Sequence, residues 1–386
     1  MSSEKERVLP QYGHRSLAEV LPALLGALGV PGPVEHAGLR IEPVRAAGVL
    51  LIDGLGSERL RRHAAEAPFL AALPDAGPLT AGFPSSTSIS LASLGTGLPP
   101  GAHGLVGISF RAGPGVLLDS LNWRSHGTRK ATDLRRWLPP EEVQPLPTVL
   151  ERAAADGIQV TVVSARMFRN SGLTRAALRG GTFRGVHALG DLAAEMIGAL
   201  TGPGRRLCYG YHADLDSLGH VHGPGSLPWR LQLSQIDRLA ALIAEHLPSD
   251  SVLAITGDHG MVSVDRIFDA DTDDDLRRDV ELLGGDTRAR HVYTRPGATA
   301  DVLATWRAVL GDAAWVVARD QAVTEGWFGP LAGPMADRIG DVVVALRGSA
   351  AVVRSTAEPK ISKLPGQHGS LSAEEQLVPL LLARSG

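Results

Sequence analysis

Five short runs of nearly uninterrupted apolar residues constrain this chain more than anything else in it: 48–53 (GVLLID), 159–164 (QVTVVS), 207–211 (LCYGY), 252–256 (VLAIT) and 341–346 (DVVVAL). A strand with one face in water alternates polar and apolar residues; a strand covered on both faces has no such need. Helical periodicity fills much of the intervening sequence, over 16–28, 58–70, 148–155, 191–200 and 228–246. In the last of these, Leu231, Leu233, Ile236, Leu239, Ile243 and Leu247 form one stripe. Strands alternating with helices predict an α/β fold, a three-layer α/β/α sandwich around a central, mostly parallel sheet. Segments 291–294, 301–310 and 314–317 read instead as the strand, helix and strand of a small inserted α+β lobe. The expected division is a catalytic core over 1–268, the lobe over 269–336, and the core again over 337–386.

A length of 386 residues suits two or three average domains, or one large α/β unit carrying an insertion. With 44% hydrophobic and 20% charged residues the chain can bury a large core, and with 4% aromatics that core is built from Ala, Leu and Val. Lys plus Arg number 38 against 41 Asp plus Glu, a net −3, so no polybasic face is available to coat nucleic acid or an anionic membrane. A single cysteine, Cys208, excludes an intramolecular disulfide and a Cys-rich zinc knuckle. The polar start 1–7 (MSSEKER) leads into no apolar signal segment, and no run approaches the ~18 apolar residues of a spanning helix. The expectation is a soluble, cytoplasmic protein; its oligomeric state is not legible.

Ligands of a parallel sheet gather beyond the carboxyl ends of its strands. After the first run comes Asp53-Gly54-Leu55-Gly56, which by itself reads as a helix cap and turn. Next is a hydroxyl-rich segment, Ser85-Ser86-Thr87-Ser88, before an apolar helical stretch. It is either an N-cap with spare polar residues or a hydroxyl nucleophile at a helix start, where amide N–H groups can receive phosphate oxygens. After LCYGY stand Asp214, Asp216, His220 and His222; one helical turn brings Asp216 and His220 to the same side. After VLAIT comes Gly257-Asp258-His259-Gly260, and near the end Gly366-Gln367-His368-Gly369. Each has an ordinary explanation alone, as turn, cap or surface loop. Together they set oxygen and nitrogen donors, without thiolates, where a sheet holds divalent metals.

These residues resemble the alkaline phosphatase superfamily, and within it the type I phosphodiesterase/nucleotide pyrophosphatase family. The resemblance lies in LIDGLG at 51–56, Thr87 leading to LGTGLPPGAHGLVG at 94–107, DSLGH at 216–220, GDHGM at 257–261 and GQHG at 366–369, in the family's order. It implies two divalent ions, zinc by ligand type with manganese as runner-up: one held by Asp53, Thr87, Asp258 and His259, the other by Asp216, His220 and His368. Thr87 becomes the nucleophile because it stands nine residues before Thr96-Gly97; Ser86 and Ser88 are the competing hydroxyls. His103 falls in a scaffold motif and reads as structural, and Asp214 as loop support. Ser88, His222 and Trp123, with Arg124 beside it, are the candidates for contacting substrate. One departure stands out. Family members often carry an asparagine shortly after the HG motif, where this chain has Gly107-Ile108-Ser109; the nearest downstream amide is Asn122, which only a returning loop could deliver.

The implied activity is hydrolysis of phosphodiester or pyrophosphate bonds in a small, nucleotide-like phosphate ester through a phosphothreonine. Alternatives within the superfamily are a phosphomonoesterase, a phosphonoacetate hydrolase or a phosphomutase. A sulfatase is disfavoured because the nucleophile segment holds no cysteine. A metal-stabilised binding protein without turnover is the alternative of a different class; a free alcohol at Thr87 has little use in such a protein.

Overall fold

The computed structural model describes residues 7–30, 38–127 and 130–385; most of the polar start at 1–7 therefore lies outside the described residues. Its centre is a six-stranded sheet in the order Leu380–Arg384, Ser251–Gly257, Ala46–Ile52, Arg206–His212, Gln159–Ala165, Thr182–Val186. All neighbours run parallel except the edge strand Leu380–Arg384, which is antiparallel to Ser251–Gly257. This is the mixed α/β fold with a mostly parallel central sheet that the apolar runs predict.

The reason those runs do not alternate is visible in the Ala46–Ile52 strand, where every residue is buried. Val49 and Leu51 enter one core with Leu24, Leu91 and Val149, from helices on one face. Leu50 and Ile52 enter a second core with Leu192, Met196, Leu233 and Ile236, from helices Leu189–Leu200 and Leu227–Glu245 on the other. Both faces are covered, so both sets of side chains are apolar. The expected helix over 58–70 divides into Ser57–Arg62 and Pro68–Ala72. Proline at the first position of the second piece cannot donate the bond that would continue the first.

A second sheet, wholly antiparallel, has the order Val280–Asp286, Ala289–Thr294, Val342–Leu346, Ala314–Ala318. Helix Thr299–Leu310 covers it through Val302, Trp306 and Leu310. The run at 341–346 is thus a strand, but it sits in the middle of this smaller sheet and not in the parallel one. Five buried apolar residues suit a central strand of any sheet, and nothing in them names the neighbours. A third, three-stranded antiparallel sheet, Ser109–Gly113, Val116–Asp119 and Arg124–His126, packs against the second at the Val280–Asp286 strand. Among the described residues no helix is long and apolar enough to cross a membrane.

Candidate metal centre and active site

Strand register assembles the site. Ile52 pairs with His212 on one side and with Gly257 on the other, so three strands end at the same level. The residues that follow them, Asp53, Asp258-His259 and the loop into helix Asp214–His222, therefore emerge side by side. The packing is tight enough to demand glycine: Gly54 has φ +76°, and a Cβ there would stand 3.0 Å from Asp216 Cα. On the helix, Asp216 and His220 face the same way, with Nε2 of His220 3.4 Å from Oδ2 of Asp216.

All seven expected ligands converge. His259 Nε2 lies 3.5 Å from Asp53 Oδ1, 3.5 Å from Asp258 Oδ2 and 3.2 Å from Thr87 Oγ1. His368 Nε2 lies 3.9 Å from Asp216 Oδ1 and 3.2 Å from His220 Nε2. The two groups adjoin, because the His259 and His368 rings stack at 3.6 Å between centroids, and donor atoms of Asp216, His259 and His368 fall within 4.8 Å of one another.

Three features show that this set suits cations. The Nδ1–H of each histidine donates to a backbone carbonyl: His259 to Gly260, His368 to Ser85 and His220 to Gly366, at 3.0, 2.9 and 2.7 Å. That commits Nδ1 and leaves Nε2 as the free lone pair, the usual outer support of a metal-binding imidazole. Two such lone pairs, on His220 and His368, then oppose each other at 3.2 Å, which is repulsive without a cation between them. Asp53 Oδ1, Asp216 Oδ1 and Asp258 Oδ2 are buried without a hydrogen-bond partner among the described residues. Buried carboxylate oxygens are costly in that state unless paired or bound to metal.

The electrostatics agree. Burial, with the charges of Asp258 and Asp216, pushes the Asp53 carboxyl well above its ordinary range, although the Tyr211 hydroxyl donates to it. Burial likewise raises Asp258. His368 is held well below the imidazole range by burial and by His259 and His220 beside it.

Thr87 opens helix Thr87–Thr96 and is 7% exposed. Ser86, the N-cap residue, makes no capping bond; its hydroxyl donates to Asp286 Oδ1 at 2.9 Å. A cavity of about 230 Å³ opens beside Thr87, Asp53 and Asp216. A turn of the three-stranded sheet brings Asn122 to its wall.

Three expected substrate contacts are not found in this wall. Ser88 is fully buried and accepts a hydrogen bond from Ser120 at 2.7 Å. Trp123 is a core residue whose Nε1 donates to the Leu138 carbonyl at 2.8 Å, although its neighbours Leu121 and Asn122 reach the cavity. Residues that neighbour one another in a turn or on a helix face different surroundings, and sequence position does not say which of them meets the cavity. His222 is exposed at the end of its helix. Asp214 and Arg124 are exposed as well. His103 is structural: buried, it accepts from the Leu105 N–H and bonds Ser93 at 3.1 Å, and burial drives its pKa down to about 3.

Sequence reading missed Tyr211, which braces Asp53, and Asp286, which reaches in from the second sheet. Tyr211 lies one pleat beyond Tyr209 in an unremarkable strand, and Asp286 ends a Gly-Gly-Asp run that reads as a turn.

Carboxylates and imidazoles at the ends of parallel strands, beside a hydroxyl at a helix start, form a candidate metal centre in an α/β protein. The chain belongs to the type I phosphodiesterase/nucleotide pyrophosphatase family, whose model matches residues 48–371; the family acts on phosphoester bonds and depends on metal. No curated protein matches the chain. Among solved structures it is similar to murine ectonucleotide pyrophosphatase/phosphodiesterase 5, at 17% identity and TM-score 0.65 over 86% of this chain and 87% of that one. An inactive variant of the murine protein in complex with AMP aligns at 15% identity and TM-score 0.64, over 86% and 87%. Phosphonoacetate hydrolase from Sinorhizobium meliloti 1021, in complex with phosphonoformate, aligns at 19% and 0.64, over 90% and 92%. At these identities the likeness is one of fold.

Proposed function

We propose that the chain hydrolyses phosphodiester and pyrophosphate bonds of small, nucleotide-like phosphate esters through a covalent intermediate on Thr87. In this reading Asp53, Thr87, Asp258 and His259 hold one divalent ion and Asp216, His220 and His368 hold a second, with zinc favoured by the mixed imidazole and carboxylate donors. Such ions, when bound, lower the pKa of the alcohol and take up charge on phosphoryl and leaving oxygens. The observation that carries the reading is one hydroxyl, Thr87 Oγ1, standing 3.2 Å from His259 Nε2 beside three unpartnered buried carboxylate oxygens.

Thr87 Oγ1 forms the bond to phosphorus as the bond to the leaving oxygen breaks and its electron pair departs with the leaving group. The Thr87 proton passes to solvent in this step; water then attacks phosphorus, the P–Oγ1 bond breaks, and Oγ1 takes a proton that the attacking water gives up. Each displacement inverts phosphorus, so the pair retains configuration. The first amide N–H groups of a helix have no partner within it, and a helix start favours anions; Thr87 occupies that position. Asn122 donates to Asp119 Oδ2 at 2.9 Å through Nδ2, which leaves its second proton for a phosphoryl oxygen.

Thr87→Ala is expected to lower turnover of bis-p-nitrophenyl phosphate by about a thousandfold or more, while the protein keeps its bound zinc at Asp216, His220 and His368. Full retained activity would move the nucleophile to another hydroxyl. Much faster release from p-nitrophenyl phosphate than from the diester would assign the chain to monoesters instead.

A further inference from the structure

The hairpin that joins strands Val280–Asp286 and Ala289–Thr294 of the second sheet turns through Thr287 and Arg288, since Asp286 pairs with Ala289. Such turns ordinarily lie at the surface, where water satisfies their polar groups. This one is buried, with Asp286 5%, Thr287 1% and Arg288 0% exposed. Each of the three engages a neighbour of a candidate ligand. Asp286 Oδ1 accepts at 2.9 Å from the hydroxyl of Ser86, the residue before Thr87. Thr287 Oγ1 donates at 2.7 Å to the side-chain carbonyl of Gln367, the residue before His368. Arg288 makes a forked pair with Glu375 at 2.6 and 3.0 Å. Glu375 in turn accepts from the Ser370 N–H at 3.0 Å, and its backbone carbonyl accepts at 2.8 Å from Gly260, the residue after His259. The gripped segments also hold one another: the Ser85 N–H donates to the Gly369 carbonyl at 3.0 Å, and His368 Nδ1–H to the Ser85 carbonyl at 2.9 Å.

We propose that Asp286 and Thr287 are positioning residues: the tip of this hairpin fixes the Thr87 and His368 segments against each other, which makes the second sheet part of the catalytic assembly. The proposal rests on the reading of Thr87 as nucleophile and His368 as a ligand, and extends it to residues that touch neither substrate nor ion. A nucleophile displaced by about 1 Å can lose a hundredfold in rate, and groups behind a metal ligand set its affinity through its orientation. A tip held by two paired strands supplies a firmer support than a free loop. Anchoring the second sheet does not by itself call for this arrangement, because the sheet is anchored elsewhere. His291 Nε2 lies 2.8 Å from the Val106 carbonyl, and the Tyr293 hydroxyl accepts from the Arg111 N–H at 2.8 Å. Neither Val106 nor Arg111 adjoins a candidate ligand in sequence.

Thr287→Val exchanges one hydroxyl for one methyl, and zinc competition against a chelator reads its effect without turnover. Zinc is expected to bind the variant about tenfold more weakly, and Thr287→Ser, which restores the hydroxyl, should recover most of the loss. Asp286→Ala should lower kcat for bis-p-nitrophenyl phosphate about tenfold while KM moves less than about twofold. Asp286→Asn, which keeps an acceptor for Ser86, should regain most of that rate. Tyr293→Phe removes a buried bond further along the same hairpin; it should lower the melting temperature and leave zinc affinity and kcat as they are. If Thr287→Val and Asp286→Ala behave like Tyr293→Phe, less stable but with wild-type zinc affinity and kcat, the tip is an anchor only and the proposal is overturned. Thr287→Val decides the matter alone if Asp286→Ala does not fold. Zinc binding without Thr87-dependent turnover in the wild type would instead overturn the nucleophile reading, and chelator competition would still decide the role of the tip. A wild type that binds no zinc overturns both.

Discussion

Asp286 carries a buried carboxyl that no ligand set claims: one oxygen accepts from Ser86, and the other has no hydrogen-bond partner among the described residues. Burial outweighs the help of Ser86 and Arg290 and raises its pKa to about 7. A carboxyl at about 7 in the folded protein, against 3.8 in the unfolded chain, costs on the order of 4 kcal/mol of stability once both states are ionised. The cost is absent below the unfolded value, grows as pH rises, and is complete above the folded one. Asp286→Asn, which keeps an acceptor for Ser86, is therefore expected to raise the melting temperature of the metal-free protein at pH 8. The advantage should shrink steadily towards pH 4; scanning calorimetry across that range checks it, and a constant difference would contradict the assignment. At this scale the candidate ligands stand out by their motifs: Asp53 and Asp258-His259 follow apolar strands, Asp216 and His220 share one helical turn, and His368 lies between glycines. The surroundings of Ser88 and Trp123 do not, because residues that neighbour one another in sequence face different parts of the fold.

Elements show the same division. Apolar runs told where strands lie and helical periodicity where helices lie: helix Val149–Ala155 falls within the expected 148–155, with Thr148 and Glu151 forming a capping box at its start. Which strands would pair was not written in them, as the run at 341–346 shows. Long-range polar ties link the sheets once formed. Glu358 accepts from Arg290 of the second sheet at 2.8 and 3.0 Å and lies 2.8 Å from His126 Nε2 of the three-stranded sheet, whose turn carries Asn122. Burial pushes Glu358 up, but Arg290 and His126 overcome it and hold the carboxyl well below its usual range. Its contribution is thus present above the unfolded pKa and is lost as pH falls through the folded one. Glu358→Gln leaves Arg290 charged and unpaired, and should cost about 3 kcal/mol in urea unfolding at pH 7. That loss should shrink when the comparison is repeated near pH 3. If the tie also fixes Asn122, KM for the diester rises in the variant more than kcat falls.

Over the whole molecule, distant segments meet because three parallel strands stop at one level. The order of motifs in the chain was enough to nominate seven candidate ligands, whose donor atoms the fold brings together. The substrate wall was not legible, since it is gathered from positions 91, 121–122, 168–178 and 209–217, with no shared pattern. Ligands that bind only the folded state stabilise it by mass action, so chelation should lower the melting temperature and abolish turnover together, and zinc should restore both. The most direct test of the central claim is intact-mass and peptide analysis of enzyme quenched in acid during turnover of bis-p-nitrophenyl phosphate. The account predicts an aryl-phosphoryl adduct on the peptide containing Thr87, absent from Thr87→Ala. An adduct on Ser86 or Ser88, or turnover with no adduct and no loss in the alanine variant, would contradict it.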